Sequence, residues 1–175
     1  KTNVDVLTLT ATPIPRTLSL IESGDLDASI INELPPGRKP IETFVVDRRY
    51  EKRMLTFISK ELGKGHQAYV VCPRIYEKGS DLAYWSVENV ANHYNDELPG
   101  HRLGVLHGNL KAEEMATVLE NFRQGNIDLL LSTTVIEVGV DVPNSTLMVI
   151  CAADRFGLSQ LHQLRGRTGR GSEQS

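Results

Sequence analysis

Apolar residues recur along this chain with two different spacings. Short unbroken runs occur at ETFVVD (42–47), HQAYVVC (66–72), RLGVLH (102–107), IDLLLS (127–132) and TLMVIC (146–151). Their aliphatic and β-branched content predicts strands covered on both faces of a sheet. Between the runs the apolar positions fall at helical spacing. Leu55, Ile58 and Leu62 share one face of a helix expected over about 49–62, Val87, Val90, Ala91, Tyr94 and Leu98 mark a second, and Met115, Val118, Leu119 and Phe122 a third. These stripes read as core rather than as cofactor-binding surfaces. Strand and helix in alternation predict an α/β fold, a parallel sheet flanked by helices.

The front of the chain differs. VDVLTLT (4–10) is strand-like and stops at Ala11-Thr12-Pro13, where proline ends sheet pairing. A second strand-like run, LDASIIN (26–32), leads into Glu33-Leu34-Pro35-Pro36-Gly37-Arg38-Lys39-Pro40, whose prolines make a stiff, extended connector. A domain boundary is expected there: residues 1–33 as the tail of one domain, 34–41 as connector, 42–175 as a second. EKGSDLAYW (77–85) reads as a surface loop.

With 175 residues, 40% apolar and 23% charged, the chain can bury a core without disulfides or metal. Cys72 and Cys151 sit inside apolar runs, as buried thiols do. No run approaches the roughly 20 apolar residues of a membrane span and no signal-peptide pattern opens the chain, so a cytoplasmic location is expected. A net charge of -3 excludes a uniformly basic nucleic-acid coat, yet Arg155, Arg165, Arg167 and Arg170 fall in a stretch from Arg155 to Gly171 that has no acid.

Ligands of open parallel sheets bind beyond the carboxyl ends of the strands. The loops there are Pro73-Arg74, His107-Gly108-Asn109 and Ser132-Thr133-Thr134. The passage from Ser132 to Pro143 combines hydroxyls, a glycine that permits close approach (Gly139) and a carboxylate (Asp141). That set suits phosphate and ribose contacts, and equally a turn capping a helix. Gln163-Leu164-Arg165-Gly166-Arg167-Thr168-Gly169-Arg170-Gly171 spaces Arg167 and Arg170 three apart, each after a glycine. Guanidinium groups fork onto phosphate oxygens in pairs; a solvated basic tail is the alternative. His107 is either a ligand contact or a turn histidine bonded to nearby backbone.

TATP (10–13), the YVVCP and LHG region, GVDVP and QLRGRTGR resemble, in this order, motifs III to VI of the superfamily 2 helicases. TATPIPRTL, ELPPGRKPI, STTVIEVGVDVP and RFGLSQLHQLRGRTGRG are similar to the RecG-type ATP-dependent DNA helicases, while transcription-repair coupling factors share the first and last of these but not the connector. The resemblance implies a second RecA-like motor lobe, preceded by the end of the first, acting on DNA with ATP and Mg2+. It implies Arg167 and Arg170 as arginine fingers, Gln163 beside the γ-phosphate, Gly139 and Asp141 at the nucleotide, and Arg74, Gly108, Thr133 and Thr134 on the DNA backbone. Thr10 and Thr12 would couple the two. The connector would act as hinge.

The sequence lacks a G-x-x-x-x-G-K-[ST] phosphate loop, and Asp96-Glu97 before Pro99 reads as a helix end rather than a metal-binding pair. The phosphate loop and metal site are therefore expected in a first lobe, and this chain by itself is expected not to hydrolyse ATP. A nucleic-acid-binding or regulatory module without motor activity is the competing class. A phosphate loop upstream of Lys1 separates the two.

Overall fold

The computed structural model describes residues 39–73, 84–133 and 142–169, with single positions at 7, 24, 27, 29, 31 and 175. The chain divides into two compact units, Lys1–Pro35 and Pro36–Ser175, and the architecture below is that of the second. Four strands, β1 (Gln67–Val71), β2 (Leu103–Leu106), β3 (Leu129–Ser132) and β4 (Ser145–Ile150), form a parallel sheet in the order β2-β3-β1-β4. Helices α1 (Glu51–Gly63), α2 (Val87–Glu97), α3 (Ala112–Arg123) and α4 (Leu158–Arg165) cover it. The fold is the α/β sheet flanked by helices that the alternation of runs predicts.

Strand alternation sorts the core into two layers. On one face Ala68, Val70, Leu129 and Leu131 pack with Leu55, Ile58 and Leu62 of α1 and Val90 and Tyr94 of α2. On the other, Tyr69, Val71, Leu106 and Leu130 pack with Phe122 of α3 and Leu164 of α4. Tyr69 and Phe122 meet ring to ring at 5.0 Å. Every residue of β1 and β3 is buried, which is why their runs carry no polar alternation. Gly104 of β2 admits Ile127: a Cβ there would lie 2.7 Å from Ile127 Cδ1.

Polar contacts fix the connections. The Gln67 side chain donates to the carbonyls of Phe122 (2.5 Å) and Ile127 (2.8 Å), tying the end of α3 to the sheet. Arg102 clamps Asp128 through Nε (3.1 Å), Nη2 (2.5 Å) and its backbone N–H (2.8 Å), and its Nη2 also reaches the Gly125 carbonyl (2.7 Å). The entrances to β2 and β3 are thereby joined. Helix α1 opens later than its periodicity suggests, because Asp47 accepts from Arg49 N–H (3.0 Å) and sets a 3-10 turn over Arg48–Tyr50 first.

One expected strand is not formed. ETFVVD is extended but unpaired, with Phe44 75%, Val45 103% and Val46 49% exposed. Its composition fits a pleated surface, but a strand exists only against a neighbour. Backbone bonds occur only at its ends among the described residues: Glu42 N–H donates to the Ser175 carbonyl (2.9 Å), and the Asp47 carbonyl accepts from Tyr50 N–H (2.9 Å). The runs at 4–10 and 26–32, the connector over 33–38 and the loop at 77–83 lie outside the described residues, single positions apart. No helix among the described residues is long and apolar enough to cross a membrane.

Candidate functional site

Parallel register makes β1, β2 and β3 finish level, since Val71 and Leu106 both align with Ser132. The loops after them therefore leave the sheet side by side. Cys72 N–H donates to the Ser132 carbonyl (2.7 Å) and Thr133 N–H to the Leu106 carbonyl (3.2 Å), so Thr133 is held beside His107 and Gly108. His107 adopts the turn arrangement: its Nδ1 accepts from Asn109 N–H (3.3 Å) and its carbonyl from Leu110 N–H (3.1 Å). Gly108 is exposed, and a Cβ added there would meet nothing within 4 Å. Among the described residues nothing fills the space in front of this turn. Behind it, a hydrogen bond with Cys151 and burial together push the Cys72 thiol far up, so it is an inert support.

Gln163, Arg165 and Arg167 come from a second place. In α4, Leu164 points into the core while Gln163 and Arg165 are exposed. Gly166 caps the helix with its N–H on the His162 carbonyl (3.1 Å), and Arg167 N–H follows onto Leu164 (2.9 Å). Gly169, at φ +68°, then donates to the Ser145 carbonyl (3.3 Å). Arg167 is half-buried in this turn. Ser145 begins β4, so residues 166–169 sit at the amino end of that strand, whereas Gly108 and Thr133 sit at the carboxyl ends. About 17 Å of strand separates the two levels.

The structure thus brings Gly108 and Thr133 together, and sets Gln163 and Arg167 apart from them. Arg74, Thr134, Gly139, Asp141, Arg170, Thr10 and Thr12 lie outside the described residues. Thr133 and Val142 are the described ends of the passage that carries Gly139 and Asp141; Val142 belongs to the turn entering β4, its carbonyl accepting from Ser145 N–H (3.0 Å). The two described ends of that passage lie at the two levels. Thr168 is a residue that spacing did not single out: it is 3% exposed, and its hydroxyl has no hydrogen-bond partner among the described residues. Its burial accompanies the bond from Gly169 N–H to Ser145, which no periodicity reveals. No cluster of His, Cys, Asp or Glu able to hold a metal occurs among the described residues.

Residues 50–172 match the family model of the helicase conserved C-terminal domain. The chain is 51% identical over 172 residues to the ATP-dependent DNA helicase RecG of Bacillus subtilis, covering 98% of this chain and 25% of that protein. Against RecG of Streptococcus pneumoniae it is 48% identical over 176 residues, covering 99% and 26%. The chain thus spans about a quarter of the length of these curated relatives. A solved structure of RecG bound to a three-way DNA junction superposes with a TM-score of 0.72 at 44% identity, over 92% of this chain and 21% of that one. S. cerevisiae Dbp5 bound to RNA and ADP BeF3 shares the fold, with a TM-score of 0.54 at 18% identity over 94% of this chain and 42% of its own.

Proposed function

The chain belongs to the helicase conserved C-terminal domain family, and we propose from that premise that it is the second motor lobe of a RecG-like ATP-dependent DNA helicase, remodelling branched DNA. In this reading residues 1–33 end the first lobe, 34–41 connect, and 42–175 form the second lobe. The observation that carries it is the pairing of two loop sets on one rigid sheet. One set has open space at the strand ends; the other presents arginine at the opposite level.

At the carboxyl ends, Gly108 and Thr133, with Arg74 and Thr134, hold the sugar-phosphate backbone. Such contacts position a strand without reading its sequence, which suits a motor that steps along any DNA. At the other level Arg167 and Arg170 approach ATP bound by the partner lobe and neutralise charge building on the γ-phosphoryl group, with Gln163 on the same side. Gly139 and Asp141 meet the nucleotide, and Thr10 and Thr12 relay its state. ATP arrives with Mg2+, and the first lobe supplies the phosphate loop and metal carboxylates that this sequence lacks.

The test measures ATP hydrolysis, with and without forked DNA, for this chain and for a protein that includes the preceding lobe. The chain alone is expected to be inactive. In the two-lobe protein, Arg170→Ala is expected to lower DNA-stimulated turnover by about 10³-fold or more while ATP still binds. Turnover by the isolated chain, or full turnover with Arg170→Ala, overturns the assignment.

A further inference from the structure

Helix α1 has a second face that neither the core nor the motor reading uses. At 100° per residue, Arg53, Phe57, Lys60 and Lys64 project within an arc of about 60°, and Tyr50, the last residue of the 3-10 turn, caps the helix just ahead of them. The buried face belongs to Leu55, Ile58 and Leu62, so the two rings are not core. Tyr50 is 54% and Phe57 51% exposed, and Arg53 and Lys60 are exposed beside them. Of the acids nearby, three are engaged, while Glu97 of α2, exposed beside Lys52 and Lys60, has no ion pair among the described residues. Asp47 pairs with Arg49 (3.2 Å), Glu61 with Lys64 (2.6 Å), and Glu51 turns inward to Tyr84 Oη (3.0 Å) and His93 Nε2 (3.2 Å). Arg53 and Lys60 have no ion pair among the described residues. In a chain of net charge -3 this surplus of positive charge is local.

We propose that the outer face of α1 is a docking surface for single-stranded nucleic acid, with Tyr50 and Phe57 stacking on bases and Arg53 and Lys60 meeting phosphates. Exposed rings interleaved with cations form a platform that every base can use, since each has a π-face. Tyr50 and Phe57 are seven residues apart, about 10 Å along the helix, enough for bases to stack on each without crowding. A shallow depression of about 610 Å³, lined by Lys52, Leu55, Thr56, Ser59, Lys60 and Glu97, flanks the phosphate side. Position supports the same ligand. Helix α1 runs into β1 from the amino end of the sheet, so its first turn lies at the carboxyl end, the level of Gly108 and Thr133. There Arg48 stacks on Tyr84 (4.0 Å), whose ring in turn meets Trp85 (4.8 Å), fixing the ground beneath the first turn. A strand leaving those loops can continue over Tyr50. This extends the DNA track of the proposed motor and rests on that reading for the strand's origin.

Fluorescence anisotropy with a labelled oligodeoxythymidine and a blunt duplex tests it on the 175-residue chain, circular dichroism confirming that each variant is folded. Arg53→Glu with Lys60→Glu is expected to weaken single-strand binding about 10-fold or more and to reduce the salt slope by about 1.4. Tyr50→Ala with Phe57→Ala is expected to weaken single-strand binding about 10-fold and to leave duplex binding nearly unchanged. No loss on removing both rings, or displacement of the oligonucleotide by polyglutamate together with indifference to the rings, overturns the proposal in favour of a general acidic partner. Loss with Thr133→Glu but not with the α1 variants sinks this surface and leaves the motor reading standing. Ring-dependent binding combined with a two-lobe protein that shows no DNA-stimulated ATPase does the reverse.

Discussion

Asp128 shows what one side chain contributes to the fold's accuracy. The hydrogen bond from Arg102 holds its carboxyl below the usual carboxylate value of 3.8, with burial opposing. A carboxylate stabilised in the folded state adds stability above its unfolded pKa and loses it as pH falls through the folded value. Asp128→Asn should therefore lower stability at pH 7 by about 1–2 kcal/mol, the scale of a partly exposed charged hydrogen bond. At pH 3, below the unfolded value of 3.8, the deficit should shrink, because the unfolded carboxyl takes up a proton that folding must then remove. Thermal melts at both pH values check this; an equal deficit at each would mean that geometry, not charge, is what Asp128 supplies. The sequence did not point to this pair, since Arg102 and Asp128 are distant in the chain and meet only once β2 and β3 align. Gly169 is similar: its place among the arginines was legible, but its left-handed backbone was not.

At the level of elements, the hydrophobic runs reported four strands and three helices correctly because each is buried by its neighbours in this same chain. ETFVVD has the same composition and failed for the reason the others succeeded: a pattern reports what a segment suits, and pairing needs an available edge. What remains, among the described residues, is an exposed extended segment at Phe44 and Val45 that joins no strand, a template for pairing between copies. Val45→Lys should suppress concentration-dependent self-association of this chain while leaving its melting temperature within about 2 °C, as for an exposed position. Light scattering across a dilution series measures it, and unchanged association would locate the sticky surface elsewhere. Of the candidate site, the run pattern put Gly108 and Thr133 in loops after strands, and spacing singled out the arginine turn. It could not tell that they occupy different levels, because the sense of each connection depends on strand order.

For the molecule as a whole, that difference in level predicts separable defects. In a two-lobe protein, Gly108→Glu fills open space and adds a repelling charge, so DNA affinity should fall about 10-fold or more while DNA-independent ATP hydrolysis stays within about twofold. Arg167→Ala should do the opposite, cutting turnover with DNA affinity preserved. Titrating labelled fork DNA against each variant, alongside steady-state turnover, measures both; a variant that harms the two equally would mean the levels are not independent.

The flush ending of β2, β3 and β1 also sets a length. Three neighbouring strands at about 4.8 Å spacing make a ledge about 10 Å across, which matches about three phosphates along one strand of a duplex. On the proposed motor reading, a foothold that small is expected to be remade every few nucleotides, and a stroke longer than about 10 Å is expected to slip.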